Sequence, residues 1–309
     1  LADSSSEADM RGLCARTALI ISTVGPYALY GEPLVKACAE SGTDYCDLTG
    51  EAHWIRRMLN KYEDAARQSG ARTVNCCGFD SIPSDLGVKF LQDAAMDRYG
   101  EYCCNIKMRI KKTKGGASGG TIASGVNLAK EAARDKALRQ ELRDPYSLCP
   151  EGHGFSARQH TVDMEYDEDF QAWAGPFIMA AINTRVVLRS NALHQPPYHP
   201  EFRYDEGVLT GDGDKGKKRA RNLSRGTKLG GIVMAIAPLR AVALKFLPKP
   251  GEGPSPQQQR EGFFDFRFMG ETASGKTISA KVVGDRDPGY GSTSKMLAQA
   301  AISLCKDVS

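Results

Sequence analysis

The chain has 309 residues, of which 41% are hydrophobic, and a formal net charge of +4 at pH 7. Such a composition is typical of a globular protein with one large or two smaller domains, and it lacks the strong basic excess typical of a nucleic-acid-binding protein. The nine cysteines include no C-x-x-C pair, so we expect reduced thiols and no structural zinc site.

A short apolar segment near the start of the chain predicts a buried β-strand. Residues 18–21 are continuously apolar, as expected for a strand covered on both faces, and Gly25-Pro26 ends the run. A helical pattern follows, with Pro33 in its first turn and Gly42 just after its end. In open α/β sheets, ligands bind where strands give way to such loops.

Strands and helices continue to alternate as far as residue 99. Residues 45–49 and 72–77 have the composition of strands, and residues 54–69 have helical spacing. A further helix is predicted after Ser81, which we expect to cap it, with Asp85 in its first turn. This alternation implies a parallel sheet.

The pattern changes after residue 100, where alternating apolar and polar residues predict half-exposed strands in a mixed or antiparallel sheet. The predicted strands lie at residues 105–111, 263–268 and 277–283, and residues 201–214 are predicted as strand and turn. The predicted helices lie at residues 121–141, 177–193 and 292–304. Residues 152–169 are polar, and we expect a loop there.

Six motifs occur in order over nearly the whole chain, and together they are more specific than any one of them. They are residues 24–35, 42–51, 78–85, 118–121, 251–254 and 287–290. In this combination they resemble the saccharopine dehydrogenase-like oxidoreductases, a family that includes the trans-acting enoyl reductases of mycobacterial lipid synthesis.

The resemblance implies an α/β fold with a partial Rossmann-type parallel sheet. Residues 1–99 would form the C-terminal part of an NAD(P)-binding domain, and residues 100–285 an inserted α+β domain for substrate binding or dimerisation. Residues 286–309 would form a helix that returns to the first domain. The resemblance places the Gly-rich phosphate loop before residue 1. Because we expect no G-x-G-x-x-G between a strand and a helix of this chain, we interpret it as a fragment or a truncated protein.

Three loops that follow consecutive parallel strands would converge at one edge of the sheet, and this convergence is the argument for a site. The resemblance implies that they bind a nicotinamide cofactor. The candidate cofactor-binding residues are Thr23, Val24, Gly25, Pro26, Tyr27, Thr49, Gly50, Glu51, Gly78, Phe79 and Ser81.

Each loop also has an ordinary structural interpretation. The first is a simple strand-to-helix turn in that interpretation. Glu51 either orients the ribose or amide of the cofactor or caps the helix that begins near Trp54. Asp80 is a candidate for proton transfer or substrate orientation, and with Ser81 and Asp85 it could instead cap the next helix, whose N-terminal N–H groups would suit a carbonyl or carboxylate.

The expected chemistry is hydride transfer, which needs positioning by the protein and no nucleophilic triad. The five histidines show no metal-binding spacing, so no metal is predicted. The cofactor is NADP or NAD, and the residues that would discriminate between them are not in the chain. By resemblance the chain is a reductase of lipid or glycolipid metabolism acting on a lipid-related or unsaturated acyl substrate. The alternative is a non-catalytic scaffold associated with a membrane or lipid droplet.

A basic run at residues 215–221 precedes an apolar segment at residues 230–247 that is interrupted by Pro238. This order is typical of a helix that lies in a membrane interface or on a lipid droplet, here on the cytoplasmic side. The alternative is a core helix preceded by a disordered basic loop. A homo-oligomer is compatible with the sequence, which does not define the oligomeric state.

Overall fold

Two separate β-sheets organise the chain in a computed structural model, which describes residues 2–116, 118–249 and 251–308. The first sheet has three parallel strands in the order β1-β2-β3. They are β1 (Leu19–Ser22), β2 (Asp44–Asp47) and β3 (Thr73–Val74). The parallel α/β arrangement predicted for the first third of the chain is therefore confirmed.

Helices precede and follow these strands: α1 (Glu7–Cys14), α2 (Tyr27–Tyr30), α3 (Glu32–Ser41), α4 (Ala52–Ser69) and α5 (Ile82–Tyr99). Pro33 lies in the first turn of α3, as predicted. Glycines with positive φ end α3 and α4, namely Gly42 at 74° and Gly70 at 82°. Only glycine adopts this left-handed conformation without a steric penalty, which explains where both helices stop.

The apolar segment of β1 is less completely covered than its sequence predicts. Ile20 packs in a core with helices α1, α3 and α4, and Leu19 packs against the C-terminal helix on the other face. Ile21 shares the face of Leu19 but is 44% exposed. The reason is that β1 is an edge strand of the described sheet, and the C-terminal helix covers only part of it.

The second sheet has six strands in the order β5-β6-β7-β4-β8-β9. They are β4 (Cys103–Lys114), β5 (Glu165–Asp167), β6 (Ala172–Pro176), β7 (Arg203–Gly211), β8 (Phe263–Thr272) and β9 (Thr277–Gly284). The sheet is mixed, as predicted, because β4 runs parallel to β7 and antiparallel to β8. Its apolar face carries Phe264, Phe266 and Phe268 into the main core.

The remaining helices are α6 (Gly119–Arg134), α7 (Lys136–Glu141), α8 (Ala180–Leu193), α9 (Gly213–Ala235), α10 (Ala237–Ala243), α11 (Pro256–Glu261) and α12 (Thr293–Lys306), with a π-helical turn at Pro288–Ser292. The predicted C-terminal helix is present as α12. It packs against the first sheet through Leu297, Ala301 and Leu304, which meet Cys46 and Cys77.

Two local predictions made for residues after 100 are wrong. The single helix predicted over residues 121–141 is divided at Asp135, whose carboxylate accepts hydrogen bonds from the N–H groups of Ala137 and Leu138 and so caps α7. The predicted loop at residues 152–169 contains the edge strand β5, which pairs with β6.

The basic run at residues 215–221 is helical, so the interpretation of a disordered basic loop is also wrong. It forms the first half of α9, and α10 follows after a sharp bend of 112°. No single helix among the described residues is long and apolar enough to cross a membrane, although α9 and α10 together pass that test by length and composition.

Candidate functional site

The three predicted loops meet at the carboxyl ends of the first sheet: loop A (residues 23–27), loop B (residues 49–51) and loop C (residues 78–81). Glu51 of loop B accepts hydrogen bonds from the backbone N–H groups of Tyr27 and Ala28, at 2.8 and 3.0 Å. A methyl group built on Gly50 would lie 3.5 Å from the Oδ1 atom of Asp80 in loop C. Loop B is therefore hydrogen-bonded to loop A and lies beside Asp80 of loop C.

The structure shows that the Glu51 side chain does not cap α4, which was one of its two sequence interpretations. Its carboxylate is buried and caps the N-terminus of α2, not that of α4, and it also accepts a hydrogen bond of 2.7 Å from the Oγ atom of Ser124 in α6. A carboxylate at a helix N-terminus is stabilised by the helix dipole and by the N–H groups it satisfies. Glu51 thus holds loop A in place.

The start of α5 also differs from the prediction. The Ser81 hydroxyl donates to Asn183 Oδ1 at 3.1 Å, and Asp85 accepts from Ser190 at 2.9 Å, so neither side chain caps the helix. The N–H groups of Ile82 and Ser84 donate to the carbonyl groups of Gly78 and Ser81. Within the described residues the first turn of α5 therefore has no free N–H group for a ligand, contrary to the sequence prediction.

Asp47, at the end of β2, holds the loops in place through hydrogen bonds. Its fully buried carboxylate accepts hydrogen bonds from the backbone N–H groups of Thr49 and Cys76, from the Asn75 amide and from the Tyr45 hydroxyl. Burial raises the pKa of Asp47 to about 6, although these four donors oppose the shift. One carboxylate thus connects loop B with the end of β3.

Asp80 is the titratable group of the site whose raised pKa lies nearest to neutral pH. Its side chain is partly buried beside Gly50 and Gly78. Loss of hydration raises the pKa of Asp80 to about 7, and the nearby Asp47 carboxylate adds to the shift. A carboxyl group with this pKa can give up or accept a proton near neutral pH.

The predicted cofactor-binding residues fall into two groups by exposure. Those with surface toward solvent are Thr23, Val24, Gly25, Pro26, Gly50 and Phe79. Those that are buried and hold the loops are Tyr27, Thr49, Glu51, Gly78 and Ser81. Val24, 52% exposed, is notable as a large apolar side chain at the tip of a loop. The open surface at this edge of the sheet therefore consists of backbone and of small or apolar side chains, with Asp80 as its titratable group.

Residues from the second half of the chain complete the site. Thr293 accepts a hydrogen bond of 3.1 Å from the N–H of Phe79, and Met179 Cε would lie 3.9 Å from a methyl group on Gly50. The ring of Phe79 packs against Phe264 and Phe266 of β8. Sequence reasoning missed Thr293, Met179 and Ser124, because no local pattern connects them with loops so distant along the chain.

A buried polar network fixes loop C to the second sheet. Asn183 of α8 donates to Glu206 at 2.9 Å and to Ser84 at 3.2 Å while it accepts from Ser81. The Tyr204 hydroxyl donates to Glu206 at 2.6 Å. Burial raises the pKa of Glu206. Because every member has a partner, the network can define one position for loop C.

One sequence expectation about phosphate binding is wrong. Gly211, Gly213 and Gly216 have the G-x-G-x-x-G spacing, and they lie between β7 and α9. Gly211 has φ of 100°, and a methyl group on Gly216 would clash with the Gly211 carbonyl. The N–H of Gly213, however, already donates to the Asp212 carboxylate at 2.6 Å. An acidic side chain thus occupies the position that a phosphate would need.

No protein-family model matches the chain, but curated mycobacterial proteins resemble it over nearly its whole length. It is 36% identical over 320 residues to a candidate trans-acting enoyl reductase of Mycobacterium tuberculosis strain H37Rv. This alignment covers 99% of the chain and 75% of the relative. It is 34% identical over 326 residues to the trans-acting enoyl reductases of Mycobacterium bovis BCG and Mycobacterium ulcerans, at 99% and 76% coverage. The chain belongs to the trans-acting enoyl reductase family.

This membership agrees with the resemblance drawn from the six motifs as far as the enoyl reductases are concerned. The wider grouping with saccharopine dehydrogenases stays a prediction. The motifs 24–35, 42–51 and 78–85 include loops A, B and C, so the part of the chain that carried the resemblance also contains the site.

The raised pKa of Asp80 in this family member predicts a change of stability with pH. A carboxyl group with a raised folded-state pKa favours folding while it is protonated, and this contribution is lost as pH rises through about 7. Asp80→Asn should therefore lose less stability than the wild type between pH 5 and pH 8. Urea unfolding across this range measures the difference, with the exposed Asp64→Asn as control. Parallel pH profiles for wild type and Asp80→Asn would contradict the raised pKa.

Proposed function

We propose that the chain is an NAD(P)-dependent reductase of an unsaturated acyl substrate in lipid or glycolipid metabolism, within the saccharopine dehydrogenase-like group. The observation that supports this most strongly is the convergence of loops A, B and C at the carboxyl ends of three parallel strands, the usual ligand position in such sheets. The names of the relatives supply the reaction class.

The residues of the site fit a nicotinamide group. Gly25 and Gly50 carry no side chain, and the three described atoms nearest to a methyl group built on Gly25 belong to Tyr27 and Ser124, at 3.4 to 3.8 Å. A flat ring can therefore approach the backbone of loops A and B, with Pro26 and Val24 as apolar contacts. The proposal covers NADP and NAD alike.

The chain's own residues would position the reactants and handle the proton. A bound nicotinamide would supply a hydride to the carbon–carbon double bond of the substrate. Asp80, whose pKa is about 7, holds a proton on its carboxyl group below that pH and would donate it to the carbon that does not receive the hydride. Glu51 and Asp47 keep the loops in place through their hydrogen bonds to backbone N–H groups.

Titration of NADPH and NADH, followed by nicotinamide fluorescence, tests the proposal. The 309-residue chain and a version extended upstream to the length of the relatives should be compared, because the chain covers 75% of a relative. Enoyl thioesters then test for reduction through the loss of NADPH absorbance. Failure of both proteins to bind either nucleotide would overturn the reductase proposal and favour the non-catalytic scaffold.

We also propose that α9 and α10 attach the protein to the surface of a membrane or lipid droplet on its cytoplasmic side. Large apolar side chains spaced three or four residues apart are exposed along the bent pair and just after it: Leu229, Ile232, Ile236, Leu239, Val242 and Phe246. Exposed lysines and arginines cover the first half of α9. Apolar side chains beside positive charge suit an anionic lipid surface.

The double variant Leu239→Asp and Phe246→Asp should reduce binding to liposomes that contain anionic lipid at least about tenfold, because two side chains lose their apolar contact with lipid. Phe246 is 84% exposed, so the change should not disturb the core. Flotation in a density gradient measures the bound fraction. Ile302→Asp, an exposed position on α12, is the matched control. Equal flotation of the double variant and the wild type would remove the membrane proposal.

A further inference from the structure

A groove of about 310 Å³ lies beside loop A. Its walls come from α6, from Pro26 and Leu29 at the start of α2, and from the segment after α10 that contains Leu244 and Pro248. The lining is largely apolar. Since Pro26 also belongs to the proposed nicotinamide surface, the groove is continuous with the candidate site.

The spacing of the α6 residues shows that the groove follows the helix axis. The lining residues are Gly119, Ile122, Ala123, Val126, Asn127 and Lys130. These positions recur every three or four residues and therefore form one face of the helix. Eleven residues separate the first from the last, so the face is about 16 Å long. A groove of this length and of about 310 Å³ suits an extended chain better than a compact ring.

The charges at the groove suit a ligand with an anionic end. Lys130 lies at the polar end of the α6 face, and Lys249 is a second lining residue. Both are exposed, and neither forms an ion pair within the described part of the chain. A ligand that combines an apolar chain with an attached negative charge would satisfy both parts of the lining.

We propose that this groove binds the acyl chain of the enoyl substrate, with Ile122, Ala123 and Val126 of α6 as its floor. The inference rests on the proposed function, which places the reacting double bond near loop A. It assigns the specificity for chain length to α6 and the segment after α10. Leu244 contributes to the groove, and its neighbours in α10 contribute to the proposed lipid-facing surface, so a chain could pass from a lipid surface to the site.

A fluorescent fatty acid, cis-parinaric acid, provides a test that needs no nucleotide. The full chain should bind it saturably, and Ala123→Phe should raise its Kd at least about tenfold, because the added ring fills the groove. Ala133→Phe makes the same change at an exposed position near the end of α6. That control should leave the Kd within about twofold of the wild type.

A second variant, together with a folding control, distinguishes loss of binding from misfolding. Leu244→Gln changes a different wall of the groove and should also weaken binding several-fold, while circular dichroism melts show whether each variant is folded. Equal Kd values for wild type and both folded groove variants, or the absence of saturable binding to the wild type, would overturn the inference. Nicotinamide titration of the same proteins separates this failure from failure of the reductase proposal.

Discussion

Replacement of Gly25 by valine is expected to weaken NADPH binding at least about a hundredfold, or about 2.7 kcal/mol, with little effect on folding. A Cβ atom at this position would lie 3.4 Å from Tyr27 Cε2 and 3.8 Å from Ser124 Oγ, which are ordinary contacts. The fold can therefore accept the side chain. Its branched methyl groups would stand over loop A, where the proposal places the nicotinamide ring.

The matched control for Gly25→Val is Gly12→Val. Gly12 lies in α1, outside loops A, B and C, and a methyl group built on it would meet no described atom within 4 Å apart from those of its own helix backbone and its chain neighbours. Both variants should melt close to the wild-type temperature, and only Gly25→Val should lose nucleotide fluorescence. Wild-type affinity in a folded Gly25→Val protein would show that loop A has a structural role alone.

The backbone of the first sheet could be predicted because its signals are local. The apolar run of β1, the proline in the first turn of α3 and the glycines after α3 and α4 each act within a few residues. Gly42 and Gly70 end their helices for a reason that is visible in the sequence, namely the left-handed backbone that glycine permits.

The roles of the site side chains could not be predicted because their partners are distant. Glu51 bonds to groups 23, 24 and 73 positions away, and Ser81 bonds to Asn183, 102 positions away. Sequence patterns assign a capping residue to the helix that follows it directly. They therefore suggested that Glu51 caps α4, whereas it caps α2, and that Ser81 caps α5, which it does not. Hydrogen bonds between residues brought together by tertiary packing produce no periodic pattern in the sequence.

Residues that follow the first sheet along the chain also matter for the proposed chemistry. Asn183, Thr293 and Ser124 each bond to a residue in or beside the loops of the first sheet. The pKa of Asp80 is raised because this packing reduces the hydration of its carboxyl group. A substitution in α8 or α12 would therefore change the pKa of Asp80 even though the sequence of loop C stays the same.

The largest effect on stability is expected from Arg109→Met in the second sheet. Arg109 is fully buried on the face opposite the apolar core, and it donates to Asp167 at 2.6 Å, to Asp205 at 2.5 Å and to the Met108 carbonyl at 2.9 Å. Removal of the guanidinium leaves the buried Asp205 carboxylate without its ion pair, and among the described residues Asp167 keeps only Lys107, 3.8 Å away, as a cationic partner. Breaking a buried ion pair in this way costs about 3–5 kcal/mol.

Arg267→Met is the control, because Arg267 lies directly opposite Arg109 on β8 and pairs with a partly exposed Asp265. Exposed pairs contribute about 1 kcal/mol or less, so this variant should unfold near the wild-type urea concentration. The deficit of Arg109→Met should shrink from pH 7 to pH 5, because burial raises the pKa of Asp205 and protonation removes its unpaired charge. If the two arginine variants lose equal stability, the ion cluster contributes no more than a surface pair, and the attachment of β5 to the sheet must then depend on its pairing with β6.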